Sequence, residues 1–283
     1  SHDKEDKRLK ILGLIIALST GVLLIGATAD FPGWADPASP ASTHLSPHFI
    51  EKTMEETSVP NIVTAVLADY RGYDTMYETA VIFTAGLACF ILLRIFVRQE
   101  PGDRLYRHVL TGVTVRVKEG AKLPPSEDFE RIDATWTPPD LIIKTICRFL
   151  IPFIQLFGLY VIAHGHHSPG GGFQGGVILG ASIILLAISQ DLRTAVRRMR
   201  EKLDAVLCAV GVIIYAGTGA LCLLLGLNFL DYSALAAVLH CDPVTARSHG
   251  ILIVEIGVGI AVMCTMIWIY NNVSSTGKYD EGL

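Results

Sequence analysis

Between residues 164 and 176 the chain reads HGHHSPGGGFQGG. Imidazole suits zinc, so His164, His166 and His167 raise the question of a metal site, to which His240 and His249 could add a ligand. Two of the three are adjacent, and no carboxylate or cysteine stands beside them, so no metal ligand is assigned. Glycines that lead from a strand into a helix cradle phosphate, but a P-loop places Lys and Ser or Thr after its last glycine. Neither follows here. What remains is a tight turn whose glycines free the backbone for positive φ. Gly172, Gly176 and Gly180 recur every fourth residue, a small-residue stripe of the kind that lets membrane helices approach closely. Pro169, Gly170, Gly171, Gly172, Phe173, Gly175 and Gly176 are therefore taken as one structural motif.

Acidic residues supply the other chemistry. Asp74 and Glu78 stand one helical turn apart after Arg71 and Asp69, close enough for like charges to perturb a carboxyl titration. The competing reading makes Asp74 an N-cap at the positive end of a helix. Glu255 lies about five residues, roughly 8 Å, into an apolar run. A carboxylate at that depth belongs to a proton or cation path, makes a structural hydrogen bond to another helix, or sits at an interfacial position where water reaches it. Lys144 and Arg148, one turn apart near a span end, read as snorkelling cations, with ion translocation the alternative for Lys144. His164 stays a translocation candidate. No residue is assigned a catalytic role.

These groups are carried by apolar runs. With 51% hydrophobic and 18% charged residues, the chain is poorer in charge than a soluble domain, where about a quarter is usual. Six runs match the roughly 17–25 residues that cross a bilayer: 11–29, 79–97, 141–163, 173–189, 205–227 and 250–270. Backbone amides in hydrocarbon must bond within their own segment, so the spans are helices, and the fold class is all-α, a polytopic membrane protein. The first run is too long for a signal-peptide core and is kept as an anchor. Lys and Arg number four in 1–10, seven in 98–140, five in 190–203 and one in the tail, against Lys52, Arg71 and Arg247 in the alternate loops. That asymmetry predicts both termini and the 98–140 segment in the cytoplasm, with the glycine loop outside. Of the six cysteines, Cys89, Cys147, Cys208, Cys222 and Cys264 fall inside spans and only Cys241 in a loop. With no CxxC they are apolar fillers, not a redox pair.

Three parts follow: a two-helix unit at 1–97, a cytoplasmic linker at 98–140 and a four-helix unit at 141–283. In the long loop 30–78, Ile62, Ala65 and Val66 have the spacing of a short helix lying on the membrane interface. The linker is too proline-broken for a helix, although its VLTGVTVRV has the make-up of a hairpin strand.

The run PFIQLFGLYVIAHGHHSPGGGFQGG closely resembles the signature of the B subunit of Mrp-type multisubunit cation/proton antiporters, over most of 141–270. It also resembles the equivalent subunit of membrane-bound hydrogenases with an Mrp-like module. NIVTAVLADYRGYDTMYETAVIF resembles the small two-span subunit of those hydrogenases, which corresponds to the C-terminal end of the large A subunit in antiporters. Tyr77 stands where antiporters generally carry glycine, and this tilts the resemblance toward the hydrogenase type. The chain resembles a fusion of two neighbouring subunits. The resemblance implies an accessory subunit in a prokaryotic plasma membrane, contributing to Na+ or H+ translocation beside other antiporter subunits, with Glu78 implicated in ion coupling. Hydrogenase or oxidoreductase subunits are further implied partners, and any redox chemistry would lie in them. Membrane lipid is expected as surroundings, and no nucleic acid and no cofactor in this chain. A non-conducting scaffold and an intramembrane metal-dependent enzyme are the rivals; the latter lacks an HExxH pair.

Overall fold

The computed structural model describes residues 2–93, 104–111, 113–117, 128–132 and 141–275. Among the described residues six helices are long and apolar enough to cross a membrane, and this is a multi-pass membrane protein. Contacts divide the chain into two compact units, residues 1–51 and 52–283. In the first, α1 (His2–Thr28) is apolar from Arg8 onward and buries none of its apolar window. Helix α2 (Ser46–Thr57) begins in the first unit and ends in the second, where α3 (Ile62–Ala65) leads through a π-helical turn, Val66–Tyr70, to α4 (Gly72–Ile91). Three strands, β1 (Arg104–His108), β2 (Thr114–Val117) and β3 (Phe129–Ile132), form an antiparallel sheet in the order β2-β1-β3. The helices α5 (Leu141–Ala163), α6 (Gly172–Ser189), α7 (Leu192–Arg198), α8 (Glu201–Leu224), α9 (Ala236–Leu239) and α10 (Pro243–Ser274) follow.

Helix α10 is the axis of the second unit, packed against α4, α6 and α8. Its 32 residues span about 48 Å at 1.5 Å each. The start is well defined: Asp242 accepts from the Thr245 amide at 2.9 Å, and Pro243 occupies the first turn, where its missing N–H costs nothing. Small residues set its approach to neighbours. A Cβ on Gly176 of α6 would lie 2.6 Å from the Gly259 carbonyl, and one on Gly211 of α8 would lie 2.5 Å from that of Gly257. Helix α6 meets α5 in the same way, Gly175 against the Gly158 carbonyl at 2.9 Å.

Several boundaries differ from the hydropathy pattern. Helix α4 starts seven residues before the expected span at 79, and α10 starts at 243, not 250. Both early turns carry polar side chains, Asp74 in one and Arg247 in the other, that lower hydropathy without interrupting the helix. The expected end of the second span at 97 and most of the linker lie outside the described residues. Within the linker, a third strand joins the expected hairpin. In the segment expected to form a short interfacial helix, α3 is two-sided: Thr64 and Ala65 are at most 3% exposed, while Val63 is 60% exposed. Its buried side joins a core shared with Tyr215, Tyr232, Val254 and Val258.

Candidate functional site

The glycine loop is a latched turn. After α5 ends, the amides of His167 and Ser168 both return to the His164 carbonyl, at 3.0 and 3.1 Å. Asn61 holds the loop from the facing segment. Its amide nitrogen donates to the carbonyls of Gly165 at 2.8 Å and Ser168 at 2.9 Å, and its backbone N–H donates to His166 O at 2.9 Å. The Thr64 hydroxyl adds a bond to Gly165 O at 2.9 Å. Gly171, at φ +139°, is the loop position whose backbone requires glycine.

The loop closes over Glu255. With α10 starting at Pro243, this residue lies about 18 Å along the helix, its roughly 8 Å into the apolar run being counted from residue 250. Its carboxylate fills space that loop side chains would otherwise take: a Cβ on Gly171 would sit 2.6 Å from Oε1, and one on Gly165 3.1 Å from Oε2. The Gly172 amide, at the N terminus of α6, lies close to the carboxylate. Glu255 is 8% exposed, and its Oε2 has no hydrogen-bond partner among the described residues.

Beside Glu255 lies a cavity of about 170 Å³. Glu78, Thr64, Thr75, Gln174, Tyr215 and Glu255 give it a polar lining. At roughly 30 Å³ per molecule it has room for several waters. Glu78 is exposed and Glu255 buried, so the two carboxylates mark the open and closed ends of one space. The Tyr215 hydroxyl donates to Gly72 O at 2.9 Å and ties α8 to the start of α4.

The remaining candidates fall elsewhere. Asp74 pairs with Arg71 at 2.5 Å, on the surface, and is not among the cavity-lining residues. Nor is it the N-cap of α4, whose cap position is Arg71; Asp74 lies within the first turn. Asn61 is a true cap, accepting from Val63 N at the start of α3. His164 stacks on Tyr160 at 4.9 Å between centroids. His166 is half-buried; burial first, then His167 and His249, pushes it below the usual imidazole value. Lys144 is exposed at the start of α5. Among the described residues no three His, Cys, Asp or Glu side chains converge on a common point. Pro169 and Phe173 are exposed, while Gly172, Gly175 and Gly176 are buried in helix contacts.

One ion pair escaped the sequence. Arg247 binds Asp69 through Nε at 2.8 Å and Nη2 at 2.6 Å. Burial pushes the Asp69 carboxyl up against the opposing pull of Arg247. The guanidinium lies over the Tyr70 ring, 5.7 Å from its centroid, and the Tyr70 hydroxyl donates to Glu56 at 2.5 Å. Arg247 carries a topological signal in a charge tally, and nothing in that tally names its partner.

The model of a domain related to the MnhB subunit of Na+/H+ antiporters matches residues 142–268, and that of the E subunit of MBH matches residues 12–103. The B subunit of the Na(+)/H(+) antiporter of Bacillus subtilis is 31% identical over 133 residues, 45% of this chain and 92% of the relative. A Rhizobium meliloti protein, named as the probable A/B subunit of a K(+)/H(+) antiporter, is 26% identical over 232 residues, 81% of this chain. The match spans only 21% of that relative, and a Methanocaldococcus jannaschii relative, 29% identical, is matched over 63% of its length. Among solved structures, a chain of the membrane-bound sulfane sulfur reductase, an archaeal respiratory complex, superposes with a TM-score of 0.58. It is 22% identical and covers 93% of this chain and 97% of its own. A chain of the Mrp complex from Dietzia gives 0.51 at 22% identity, covering 91% of this chain and 26% of its own. At those identities the likeness is one of fold.

Proposed function

The chain belongs to the family of MnhB-related Na+/H+ antiporter subunits, and from that premise we propose that it is an accessory membrane subunit of an Mrp-type cation/proton antiporter module. Its partners are the other antiporter subunits. The two-helix match to the MBH subunit and the fold likeness to a respiratory complex support a module joined to oxidoreductase subunits. Na+ or H+ is the transported ion, and this chain's part is to load it.

The observation that carries this proposal is the shared cavity of Glu78 and Glu255. An ion arriving from the open end meets Glu78 first. Thr64, Thr75, Gln174 and Tyr215 offer hydroxyl and amide groups along the wall, which hold water or replace part of an ion's hydration. At the closed end Glu255 presents an oxygen with no donor among the described residues, placed to take a proton or ligate a cation. The glycine loop leaves room for that carboxylate while Asn61 keeps the loop in place.

Ion flux in vesicles containing the assembled complex tests this. Glu255→Gln and Glu78→Gln keep size and hydrogen bonding but remove titration, and both variants are expected to assemble and to lose most Na+/H+ exchange. Glu78→Asp keeps part of it. Asp74→Asn, which only breaks a surface ion pair, leaves flux near wild type. Normal exchange in both Gln variants across a pH series would reduce the chain to a scaffold.

A further inference from the structure

A second set of unsatisfied polar groups lies at the other end of α10. Among the described residues, Glu255 Oε2 and His166 Nε2 are the unpartnered buried atoms of the glycine-loop end. Both Asp204 oxygens, Trp268 Nε1, Asn271 Nδ2 and Asn272 Oδ1 share that condition and belong to the opposite end. Asp204 is 0% exposed, Asn271 and Asn272 1%, and Trp268 5%.

The antiparallel register of α8 and α10 brings these groups together. Gly211 packs on Gly257 and Ala261. One turn earlier, Cys208 reaches Ala261 O at 3.6 Å and Thr265 Oγ1 at 2.8 Å. Asp204 lies one turn earlier again, within electrostatic reach of Cys208 and Cys264, and continuing the same register puts it level with the turn of α10 that follows Thr265. Asn272 is held by a bond from its Nδ2 to Trp268 O at 2.8 Å, which leaves its Oδ1 unused. Helix α4 covers the tryptophan: a Cβ on Gly86 would lie 3.2 Å from the indole, and the Phe90 ring is 5.4 Å away. Among the described residues, the titratable groups facing Asp204 are Glu201 and Cys208 on its own helix and Cys264 on α10. Arg197, Arg198, Arg200 and Lys202 are exposed.

An unpartnered carboxylate in a protein interior is costly unless a proton, a cation or ordered water meets it. Because Asp204 is enclosed by this chain's own helices, a partner subunit cannot supply the missing contact. The neighbouring unpaired donors, Asn271 Nδ2 and Trp268 Nε1, are suited to hold water, and Asn272 Oδ1 to accept from it. Thr265 lies about 15 Å along α10 from Glu255, and Val258, Ala261 and Val262 between them are buried and apolar. The two places are separate.

We propose that Asp204, with Asn271, Asn272 and Trp268, forms a second, hydrated monovalent-cation site whose resident ion is a proton on the Asp204 carboxyl. The site stands whether or not the Glu255 cavity carries ions.

Infrared difference spectroscopy of the assembled complex tests it independently of flux. Wild type minus Asp204→Asn near neutral pH is expected to show the carbonyl stretch of an un-ionised carboxyl, downshifted in heavy water. Added Na+ that abolished the band would show sodium competing for the same carboxyl; a band unmoved by Na+ leaves the proton as sole occupant. Either result supports the site. Identical spectra from wild type and Asp204→Asn would overturn it. Should the Asn variant fail to assemble, the wild-type complex is treated with dicyclohexylcarbodiimide, which modifies un-ionised carboxyls in apolar surroundings, and its peptides are mapped by mass. Label on Asp204 supports the proposal; label on other intramembrane carboxyls with none on Asp204 overturns it.

Discussion

Asn61 joins two stretches of sequence that are far apart in the chain. It caps α3 with its side-chain oxygen and spends its amide hydrogens on two carbonyls of the glycine loop. In Asn61→Ala those carbonyls lose their donor, at a cost of about 1–3 kcal/mol, softened because Thr64 still reaches Gly165. Thermal unfolding of the solubilised complex should show a lowered midpoint, and unchanged stability would mean that water replaces the amide. His166 adds a pH dependence. Its folded value lies below the ordinary 6.5, so on acidification through that value the unfolded chain takes up a proton first, and stability falls. Above pH 7 both states are neutral there and the effect vanishes. His166→Gln should flatten the slope of unfolding midpoint against pH below 6.5; an unaltered slope would place the titrating group elsewhere. Candidate residues were legible in the sequence as types in unlikely places, an acid in an apolar run or histidines beside glycines. That Glu78 shares a cavity with Glu255 while Asp74 pairs with Arg71 was not, because the two acids lie one turn apart on the same face of α4 and only their height along it separates their roles.

Packing of α6 between α5 and α10 depends on glycines whose neighbours are backbone. A Cβ on Gly176 would meet the Gly259 carbonyl at 2.6 Å and the Val262 Cβ at 3.0 Å, atoms that yield only if a helix moves. Gly176→Leu should therefore push α6 off α10, open the loop over Glu255 and lower recovery of the assembled complex. Gly217 on α8 is the contrast: it is exposed, and its added Cβ would find its nearest neighbour at 4.0 Å. Gly217→Ala should assemble normally and gain helix propensity of roughly 0.5–1 kcal/mol. Equal recovery of the two variants on size-exclusion chromatography would refute the packing account. The four-residue repeat of Gly172, Gly176 and Gly180 announced a close helix contact. It could not announce which helix, since α5 and α10 both offer glycine to α6. The starts of α4 and α10 depart from the hydropathy pattern for a related reason. Hydropathy reports lipid-facing character, and the first turns of α4 and α10 are polar where they surround the cavity and the Asp69–Arg247 pair.

At the scale of the molecule, the loop 164–171, the segment 61–72 and the first turns of α10 meet at one end of the bundle, and Asp204 and Asn271 lie at the other. The charge tally assigns the first end to the outside and the second to the cytoplasm. The helix packing alone would serve equally well upside down, so orientation needs its own experiment. Thr111, in the exposed turn after β1, and Asn228, in the exposed connection after α8, report opposite sides. In a background with the native thiols replaced, Thr111→Cys should react with an impermeant maleimide only after cells are opened. Asn228→Cys should react in intact cells. The reverse pattern would put the Glu78 mouth in the cytoplasm and Asp204 outside. It would leave both sites intact while exchanging which of them first meets an ion entering the cell.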